Sequence, residues 1–413
     1  MPTSLTRSAL GHFLSRLAAV GLGLVLLGLA ARGGPAEQGV FSLLVATEAV
    51  YAALFSGFGL VVARQVSHHR EAAARWLGGA LGLALGAGGV GALAFWAAGG
   101  ALADAPAYRY LPALALAAPW LLLTPTVSGL YLGLGRMGPI NALTVAPPAL
   151  ALLALGAGAL VGQALTLWTV VIAWLGARVL VGLAGAAWAW HDQRGQAPDW
   201  PAWRAQAGFC AMLGLTNLIS WLNYRIDLFI VEAYGGLSAT GVYAIAVTVT
   251  ELLWFISSSV SAAAYGRIGQ PDREAAARLT VRLVHFNLGV LLVASPVLLG
   301  LAAWALPRVL GEPYADTVPL MLWLLPGVWA YGCASTLSAY YTNFLGKPRL
   351  SAAVAGVSLL INVGACLLLV PRLGATGAAI ATSLSYGLAI AWGLALFRRH
   401  AGLRWRDLLR PSR

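Results

Sequence analysis

Six charged side chains lie away from the ends of the long apolar runs of this sequence, at Arg16, Glu48, Arg178, Arg225, Asp227 and Glu251. A charged residue at the centre of a membrane helix costs about 2.5–3.5 kcal/mol on insertion scales, so it normally faces a partner or a water-filled cavity. Arginine presents paired donors that match phosphate geometry. Buried carboxylates can hold a proton, form a salt bridge or relay protons. The indicated chemistry is therefore recognition and movement of a charged ligand.

The stretch "NYRIDLFIV" (223–231) carries two of these charges, Arg225 and Asp227. Two residues apart on a helix, they lie about 200° apart around its axis and do not face each other. At least one of them must therefore find its partner on another helix or in a ligand. We predict substrate contacts from Arg225, Arg178, Arg16, Asn223 and Tyr224, with Trp221 and Trp254 as further sugar-binding candidates, and coupling or cavity roles for Asp227, Glu48 and Glu251.

For Arg16 a simpler alternative stays open, because a long side chain near a helix end can extend to the lipid headgroups.

The composition places these charges in a membrane protein. Of 413 residues, 60% are hydrophobic and 10% are charged, whereas soluble domains are about 25% charged. Runs of about 20 apolar residues span a bilayer as helices. The sequence predicts an all-α polytopic protein with about twelve spans, near 8–31, 39–63, 76–102, 111–134, 140–162, 165–190, 206–232, 239–264, 279–306, 317–345, 350–371 and 374–397.

The net charge of +12 predicts an orientation and does not indicate nucleic acid as a partner. With the N-terminus inside, the inner loops and tails carry 18 Lys and Arg residues, against 4 in the outer loops. That bias follows the positive-inside rule. Both termini are therefore expected on the cytoplasmic side. The basic tail after Phe397 is expected either at anionic headgroups or only as topology-setting charge.

An internal repeat divides the chain. "REAAAR" occurs at 70–75 and at 273–278, and "GGPAEQGVF" (33–41) matches "GGLSATGVY" (235–243) at an offset of 202. Later matches drift to offsets of 207, at Pro119 and Pro326, and of 210 to 211, at "SGLYLGLGR" and "SAYYTNFLGK". We predict two parallel six-helix repeats, with an N-terminal lobe at 1–195 and a C-terminal lobe at 196–413 that ends in the basic tail.

The repeat pairs Glu48 with Glu251, so two equivalent carboxylates would face each other across the repeat axis. Each could instead be a neutral glutamate bonded to a neighbouring helix. Pro119 and Pro326 form a second matched pair, which predicts matched kinks or hinges. The repeated "REAAAR" itself is expected to be a solvated helical turn in an inner loop.

Catalytic and metal-site signals are weak. "GLGRMG" (133–138) has the Gly-x-Gly-x-x-Gly spacing, but a membrane span precedes it where a nucleotide-binding fold needs a strand. The three cysteines, Cys210, Cys333 and Cys366, all fall in spans, which argues against disulfides. We expect no metal, no cofactor and no catalytic residue.

Two stretches resemble a known family. "NYRIDLFIVEAYGGLSATGVYAIAVTVTELLWFISSSVSAAAYGRI" (223–268) is similar to the seventh and eighth helices of the polysaccharide-exporter family, and "GATGAAIATSLSYGL" (374–388) is similar to a characteristic later helix. These are bacterial flippases of lipid-linked oligosaccharides, in the superfamily of multidrug and toxin extrusion transporters and lipid II flippases.

The resemblance implies V-shaped lobes that alternate access, and a cationic cavity for a polyprenyl-diphosphate-linked oligosaccharide. It implies the bacterial inner membrane, surface-polysaccharide biosynthesis, and glycan polymerases or glycosyltransferases as partner proteins. By position, Arg225 and Asp227 match the charged pair of the family's seventh helix. Many relatives have two further C-terminal helices, whereas twelve spans are expected here.

Three alternatives stay open. A cation- or proton-coupled multidrug or small-solute antiporter would have the same fold, with an acidic, aromatic cavity. A membrane-embedded glycan polymerase or ligase would be an enzyme, but such enzymes usually carry a long polar outer loop, and the loops here are short. A scaffold without transport would not need the charges inside the spans.

Overall fold

The computed structural model describes residues 2–69, 71–268 and 272–409, and of residues 2–10, 262–267, 334, 343 and 409 it describes the backbone only. Arg70, the first residue of the first "REAAAR", lies outside the described residues. So do Arg410 and Arg413 of the basic tail. In the part of the chain that is described, every regular element is a helix and no strand occurs.

Contacts divide the chain into two compact units, Met1–Trp221 and Leu222–Arg413. The first unit contains α1 (Pro2–Ala31), α2 (Pro35–Leu54), α3 (Gly57–Ser67), α4 (Ala73–Ala101), α5 (Leu111–Leu121), α6 (Leu123–Gly133), α7 (Met137–Leu160), α8 (Leu167–Gln193) and the start of α9 (Trp200–Glu251).

The second unit contains the rest of α9, then α10 (Leu253–Ile268), α11 (Arg273–Leu310), α12 (Thr317–Gly332), α13 (Ala334–Ala339), α14 (Pro348–Ala401) and α15 (Trp405–Leu409).

The boundary between the units falls inside α9, not in the polar segment before it. The first part of α9 packs closely in the first unit, because small residues let the backbones touch. A Cβ added at Gly57 would lie 2.3 Å from the carbonyl oxygen of Cys210, and one at Gly214 would lie 2.2 Å from that of Leu54. Close approach through small residues is the usual way that membrane helices pack.

Nine helical segments in the described residues are long and apolar enough to cross a bilayer, or ten if the bent pair α2 and α3 forms one span. Two of these segments, Trp200–Ser261 with 62 residues and Pro348–Ala401 with 54 residues, would be about 93 and 81 Å long as straight helices. A hydrocarbon core is only about 30 Å thick. Division of each at its internal glycine, Gly236 or Gly374, gives the twelve spans that the sequence predicts.

Glycines with positive φ recur at matching places in the two halves. Gly34 (φ 96°) matches Gly236 (φ 75°), Gly135 (68°) matches Gly346 (62°), and Gly162 (77°) matches Gly374 (57°). The offsets are 202, 211 and 212, in line with the drift in the sequence. A side chain makes this backbone conformation costly, so the chain turns at glycines. These pairs support the duplication, which stays a prediction.

Four predicted spans are interrupted midway in the structure. The interruptions lie at 55–56, at Leu122, at Leu252 and at Cys333, so they affect the second and fourth spans of each half. The α2–α3 bend measures 42°. At Leu122 the interruption follows Pro119 by three residues, as expected where a proline removes a donor.

The polar segment at 194–199 is fixed to the first unit. The backbone N–H of Gln196 donates to the carbonyl of Ala74 over 3.2 Å. Asp199 accepts the backbone N–H of Ala202 (3.1 Å) and the Arg75 side chain (2.8 Å). Arg75 belongs to the first "REAAAR", so this motif holds the segment that leads into α9.

The second "REAAAR" begins α11, where Asp272 accepts the backbone N–H groups of Glu274 (2.9 Å) and Ala275 (3.0 Å) as an N-cap. Its Arg273 donates to the carbonyl of His400 near the end of α14. The second copy is helical throughout, as expected, whereas in the first copy the helix begins only at Ala73. Both copies hold the chain that follows the last span of their half.

Candidate functional site

In the first unit, Glu48 forms a buried ion pair. Its side chain is 2% exposed and lies on α2, where it contacts the Arg178 guanidinium of α8. Its second oxygen accepts the indole N–H of Trp174 over 2.9 Å. Trp174 and Arg178 are four residues apart on α8, so both reach the same carboxylate.

Arg178 also lies over the ring of Trp174, with its guanidinium carbon 5.2 Å from the ring centroid. That distance is within the range of a cation–π interaction. The Arg178 side chain keeps 26% exposure while Glu48 is enclosed. The carboxylate is therefore the enclosed member of the pair, and part of the Arg178 side chain remains accessible.

In the second unit, Glu251 pairs with Arg225. Two parallel hydrogen bonds of 3.0 Å join the two guanidinium Nη atoms to the two carboxylate oxygens. Arg225 also donates to the backbone carbonyl of Tyr224 (3.0 Å). The side chains are 22% and 17% exposed. This two-bond geometry is the one in which arginine also binds phosphate.

Asp227 has a different set of partners from Arg225, as their two-residue spacing predicts. It is buried and accepts hydrogen bonds from the Tyr243 hydroxyl (2.6 Å), the Thr382 hydroxyl (3.1 Å) and the backbone N–H of Leu228 (2.9 Å). Three donors satisfy a carboxylate that has little solvent contact.

Four aromatic residues pack together next to Glu251, and we call Tyr224, Trp254, Tyr331 and Tyr386 the aromatic cluster. The rings of Tyr331 and Tyr386 lie 4.4 Å apart, and Trp254 lies 5.3 Å from Tyr331 and 5.8 Å from Tyr386. The hydroxyls of Tyr224 and Tyr331 are 3.2 Å apart. The cluster offers flat apolar faces with polar edges.

A narrow cavity opens among these groups, with room for about one water molecule. Asp227, Glu251 and Thr382 supply its polar lining. Its other walls come from Tyr224, Val247, Thr250, Trp254, Leu324, Val328 and Tyr386. Any larger ligand would require the helices around this cavity to separate.

The remaining predicted residues lie elsewhere. Asn223 is fully buried in α9, and its backbone carbonyl lies 3.5 Å from the side-chain nitrogen of Asn362. Trp221 belongs to the first unit and is 40% exposed. Arg16 lies on the exposed surface of α1. Their proposed substrate contacts stay predictions.

Sequence reasoning did not name several residues that complete these sites. Trp174, Tyr243, Tyr331, Thr382 and Tyr386 all bond or stack with the predicted ones. Thr382 and Tyr386 lie inside the quoted "GATGAAIATSLSYGL". Their signal is a polar or aromatic residue in an otherwise apolar span.

No group of three or more His, Cys, Asp or Glu residues with the arrangement of a metal site occurs among the described residues. The three cysteines are free thiols.

The sequence matches no protein-family model and no curated protein. Solved structures do match. A multidrug resistance MATE family transporter of the MOP superfamily, in an inward-facing conformation, aligns with a TM-score of 0.74 and 16% identity, over 97% of this chain and 100% of that one.

Two further structures are similar over nearly the whole chain. The lipid II flippase MurJ, in an inward closed conformation, aligns with a TM-score of 0.74 and 12% identity over 98% of this chain and 89% of that one. A MOP superfamily transporter from Pyrococcus furiosus Vc1, whose reversed binding-pocket polarity suggests a different function for it, aligns with a TM-score of 0.64 and 15% identity over 98% and 96%. The fold expected from the sequence resemblance, that of MOP superfamily transporters, is confirmed.

Proposed function

We propose that this chain, with the fold of MOP superfamily transporters, is a flippase that moves a polyprenyl-diphosphate-linked oligosaccharide from the inner to the outer leaflet by alternating access. Its neighbours in fold include a multidrug transporter and a lipid II flippase, and both are transport proteins. The chain is proposed as a transporter and not as an enzyme.

One observation carries the choice of substrate. The Arg225 guanidinium holds a carboxylate through two parallel bonds, keeps partial exposure, and lies beside the aromatic cluster. A diphosphate can replace the carboxylate of Glu251 with the same bond geometry. Aromatic faces then suit the apolar faces of sugar rings. Arg178, which is also partly exposed, is the second anion contact.

The charge bias of the loops supports a membrane orientation and a location. The excess of Lys and Arg in alternate loops supports cytoplasmic termini in a bacterial inner membrane. Glycan polymerases or glycosyltransferases would supply and use the substrate. The driving force is either an ion gradient or the membrane potential, and flipping rates under each imposed gradient distinguish the two.

A second candidate, a cation-coupled multidrug or small-solute antiporter, is favoured by a specific observation. Arg225 and Glu251 offset each other in charge, and Asp227 adds a carboxylate to the same narrow cavity. The cavity is therefore acidic and aromatic, which suits an organic cation.

The deciding experiment measures flipping in proteoliposomes. A fluorescent polyprenyl-diphosphate oligosaccharide and a lipophilic cation are tested in parallel with wild type, Arg225→Ala and Arg178→Ala. Arg278→Ala is the matched control, because Arg278 forms only an exposed pair with Glu274 of its own helix. Flipping of the glycolipid that Arg225→Ala abolishes and Arg278→Ala preserves is the expected result.

Full glycolipid flipping by both Arg225→Ala and Arg178→Ala would exclude the diphosphate site. Gradient-driven efflux of the cation without glycolipid flipping would favour the antiporter. Turnover of the glycolipid by purified protein in detergent, without vesicles, would indicate an enzyme.

A further inference from the structure

A serine from the second half of α14 inserts into the helical hydrogen-bond ladder of α12. Pro326 lies inside α12 and lacks an N–H donor. One residue later, the N–H of Gly327 donates to the Ser383 hydroxyl over 3.0 Å. The same hydroxyl reaches the carbonyls of Trp323 and Leu324, the latter at 3.1 Å. Ser383 thus bridges a donor and two acceptors on either side of the proline.

The close contact depends on a glycine. A Cβ added at Gly327 would lie 2.4 Å from the Cα of Ser383, a distance that real side chains do not reach. The two backbones therefore touch at this point. Insertion of a side chain into a helical ladder is a recognised cause of a kink, and here the inserted group comes from a different helix.

The neighbouring residue connects the same stretch to the buried carboxylate. The Thr382 hydroxyl lies 3.1 Å from an Asp227 oxygen and 3.3 Å from the Tyr243 hydroxyl. Consecutive residues of one helix thus hold Asp227 on one side and the proline region of α12 on the other.

The proline region of α12 forms a wall of the narrow cavity. Leu324 and Val328, on either side of Pro326, line it. Tyr331, one turn further, stacks on Tyr386 and meets the Tyr224 hydroxyl. Bending of α12 at Pro326 would therefore move both the wall and a member of the aromatic cluster.

We propose that Thr382 and Ser383 form a mechanical link that transmits a change at Asp227, either loss of its charge or arrival of a ligand, to the proline region of α12. Ser383 is a positioning residue in this mechanism. The link gives the cavity a way to widen when its buried carboxylate changes state. The inference rests on the proposed function only in that this cavity takes part in transport.

The first half has a different arrangement at its matched proline. The position that matches Pro326 is Pro119, but the helix that corresponds to the second half of α14 reads "LTLWTVVIAWLGARVLVGLAGAAWAW" (165–190) and contains no serine. Beside Pro119 it is the Tyr51 hydroxyl of α2 that donates, to the Ala118 carbonyl over 3.3 Å, so the link through Ser383 belongs to the second unit.

The test is amide hydrogen exchange in the segment 324–332, measured by mass spectrometry on purified full-length protein. Ser383→Ala leaves the Gly327 N–H without its acceptor, and exchange after Pro326 should become about tenfold faster. Ser385→Ala is the matched control. It removes a hydroxyl from the same helix, but that hydroxyl donates to the Thr382 carbonyl of its own helix, so exchange at 324–332 should stay at the wild-type rate.

The coupling itself is tested by Asp227→Asn, which removes the charge and keeps the shape. This variant should change exchange at 324–332 in the wild-type background and have no further effect in the Ser383→Ala background. If Ser383→Ala does not fold, Thr382→Val takes its place, because it removes the hydroxyl that contacts Asp227. Asp227→Asn should then have no further effect on exchange at 324–332 in the Thr382→Val background. Unchanged exchange in Asp227→Asn, or additive effects of Asp227→Asn and Ser383→Ala, would overturn the proposal.

The kinetics of flipping test the positioning role of Ser383 separately. Ser383→Ala should lower the maximal flipping rate at least fivefold while the half-saturating substrate concentration stays within twofold, and Ser383→Thr should restore part of the rate. A change confined to the half-saturating concentration would contradict a positioning role. If the wild type transports neither probe, the proposed function fails while the exchange experiment still decides the link.

Discussion

The two units place a glutamate at the same point of their repeat but neutralise it in different ways. Glu48 takes its arginine from α8, the last span of its half, and Glu251 takes Arg225 from the part of α9 before Gly236, the span just before its own. The residues at the positions that match the two arginines are uncharged, Gly23 for Arg225 at an offset of 202 and Ile390 for Arg178 at an offset of 212. The carboxylate is thus common to both halves, whereas each half has its own cation.

The two ion pairs also differ in how far they are enclosed. Glu48 is 2% exposed, whereas Glu251 is 17% exposed. Removal of one member from an enclosed pair leaves an uncompensated charge without water, which costs far more than the same change at a wetter site. The first pair is therefore expected to stabilise its unit, and the second is expected to exchange partners during transport.

The largest expected effect separates the two glutamates by stability. Arg178→Gln leaves the Glu48 carboxylate, which is 2% exposed, without its cation and should lower the free energy of unfolding by about 3 kcal/mol. Arg225→Gln should cost only about 1 kcal/mol, because the Glu251 carboxylate that it leaves is 17% exposed. Denaturant titration in detergent measures both, and equal losses would contradict the distinction.

A smaller effect tests whether the halves share their backbone geometry. Gly34 and Gly236 have φ values of 96° and 75° with ψ near 170° and 178°, and a Cβ at either would meet nothing within 4 Å. Alanine there adds backbone strain alone, so each variant should lose about 2 kcal/mol of stability. Gly86→Ala is the control, since it lies in α4 with open space around it and should gain stability. Clearly unequal losses at Gly34 and Gly236 would argue against a common geometry.

Paired replacement separates stability from transport. Exchange of both members for apolar residues, Glu48→Leu with Arg178→Met or Glu251→Leu with Arg225→Met, removes the buried charges together and should restore most of the stability lost in the single variants. Flipping should nevertheless fall at least tenfold in the second pair and only a few-fold in the first. A larger loss of flipping in the first pair than in the second would place the main anion contact in the first unit.

The smallest effect concerns pH at the cytoplasmic segment. The backbone N–H of Ala202 and the Arg75 side chain lower the pKa of Asp199 below its ordinary value. A carboxyl with a lowered pKa in the folded state stabilises above its unfolded pKa of about 3.9, and the effect is lost as the pH falls through the folded value. Thermal unfolding should show a small loss for Asp199→Asn at pH 7 that vanishes at strongly acidic pH.

The matched control in the second half is Glu274→Gln. Glu274 pairs with Arg278 in an exposed geometry, and an exposed pair contributes little. This variant should be neutral at both pH values. A loss at pH 7 equal to that of Asp199→Asn would mean that both motifs hold their segments through carboxylates.

Much of the architecture can be predicted from local sequence. Apolar runs identify the spans because a bilayer demands about 20 such residues, and the spacing of Arg225 and Asp227 predicts their separate partners. The partner identities cannot be read in this way. Glu251 contacts a residue 26 positions earlier, and Glu48 contacts residues more than 120 positions later. Such pairs depend on which helices become neighbours, and one sequence does not contain that information.

The interruptions within spans are predictable only in part. Pro119 indicates the interruption near Leu122. The one at Leu252 has no proline before it, and Leu252 donates to the carbonyl of Val249 in a tighter turn instead. The insertion of Ser383 beside Pro326 cannot be predicted from local sequence either, because Ser383 lies on a different helix.

The single-glycine breaks at Gly236 and Gly374 have a practical consequence for mapping sidedness with inserted tags. Each break contains one non-helical residue between two long helices, so an epitope or protease site placed there would have to push helix ends apart. The segment 161–166, in contrast, is exposed at every residue, and insertions are best tolerated at such sites. Reporter sequences for the side opposite the termini therefore belong at 161–166, where labelling can report the orientation of the chain without changing the helices that the reporter is meant to locate.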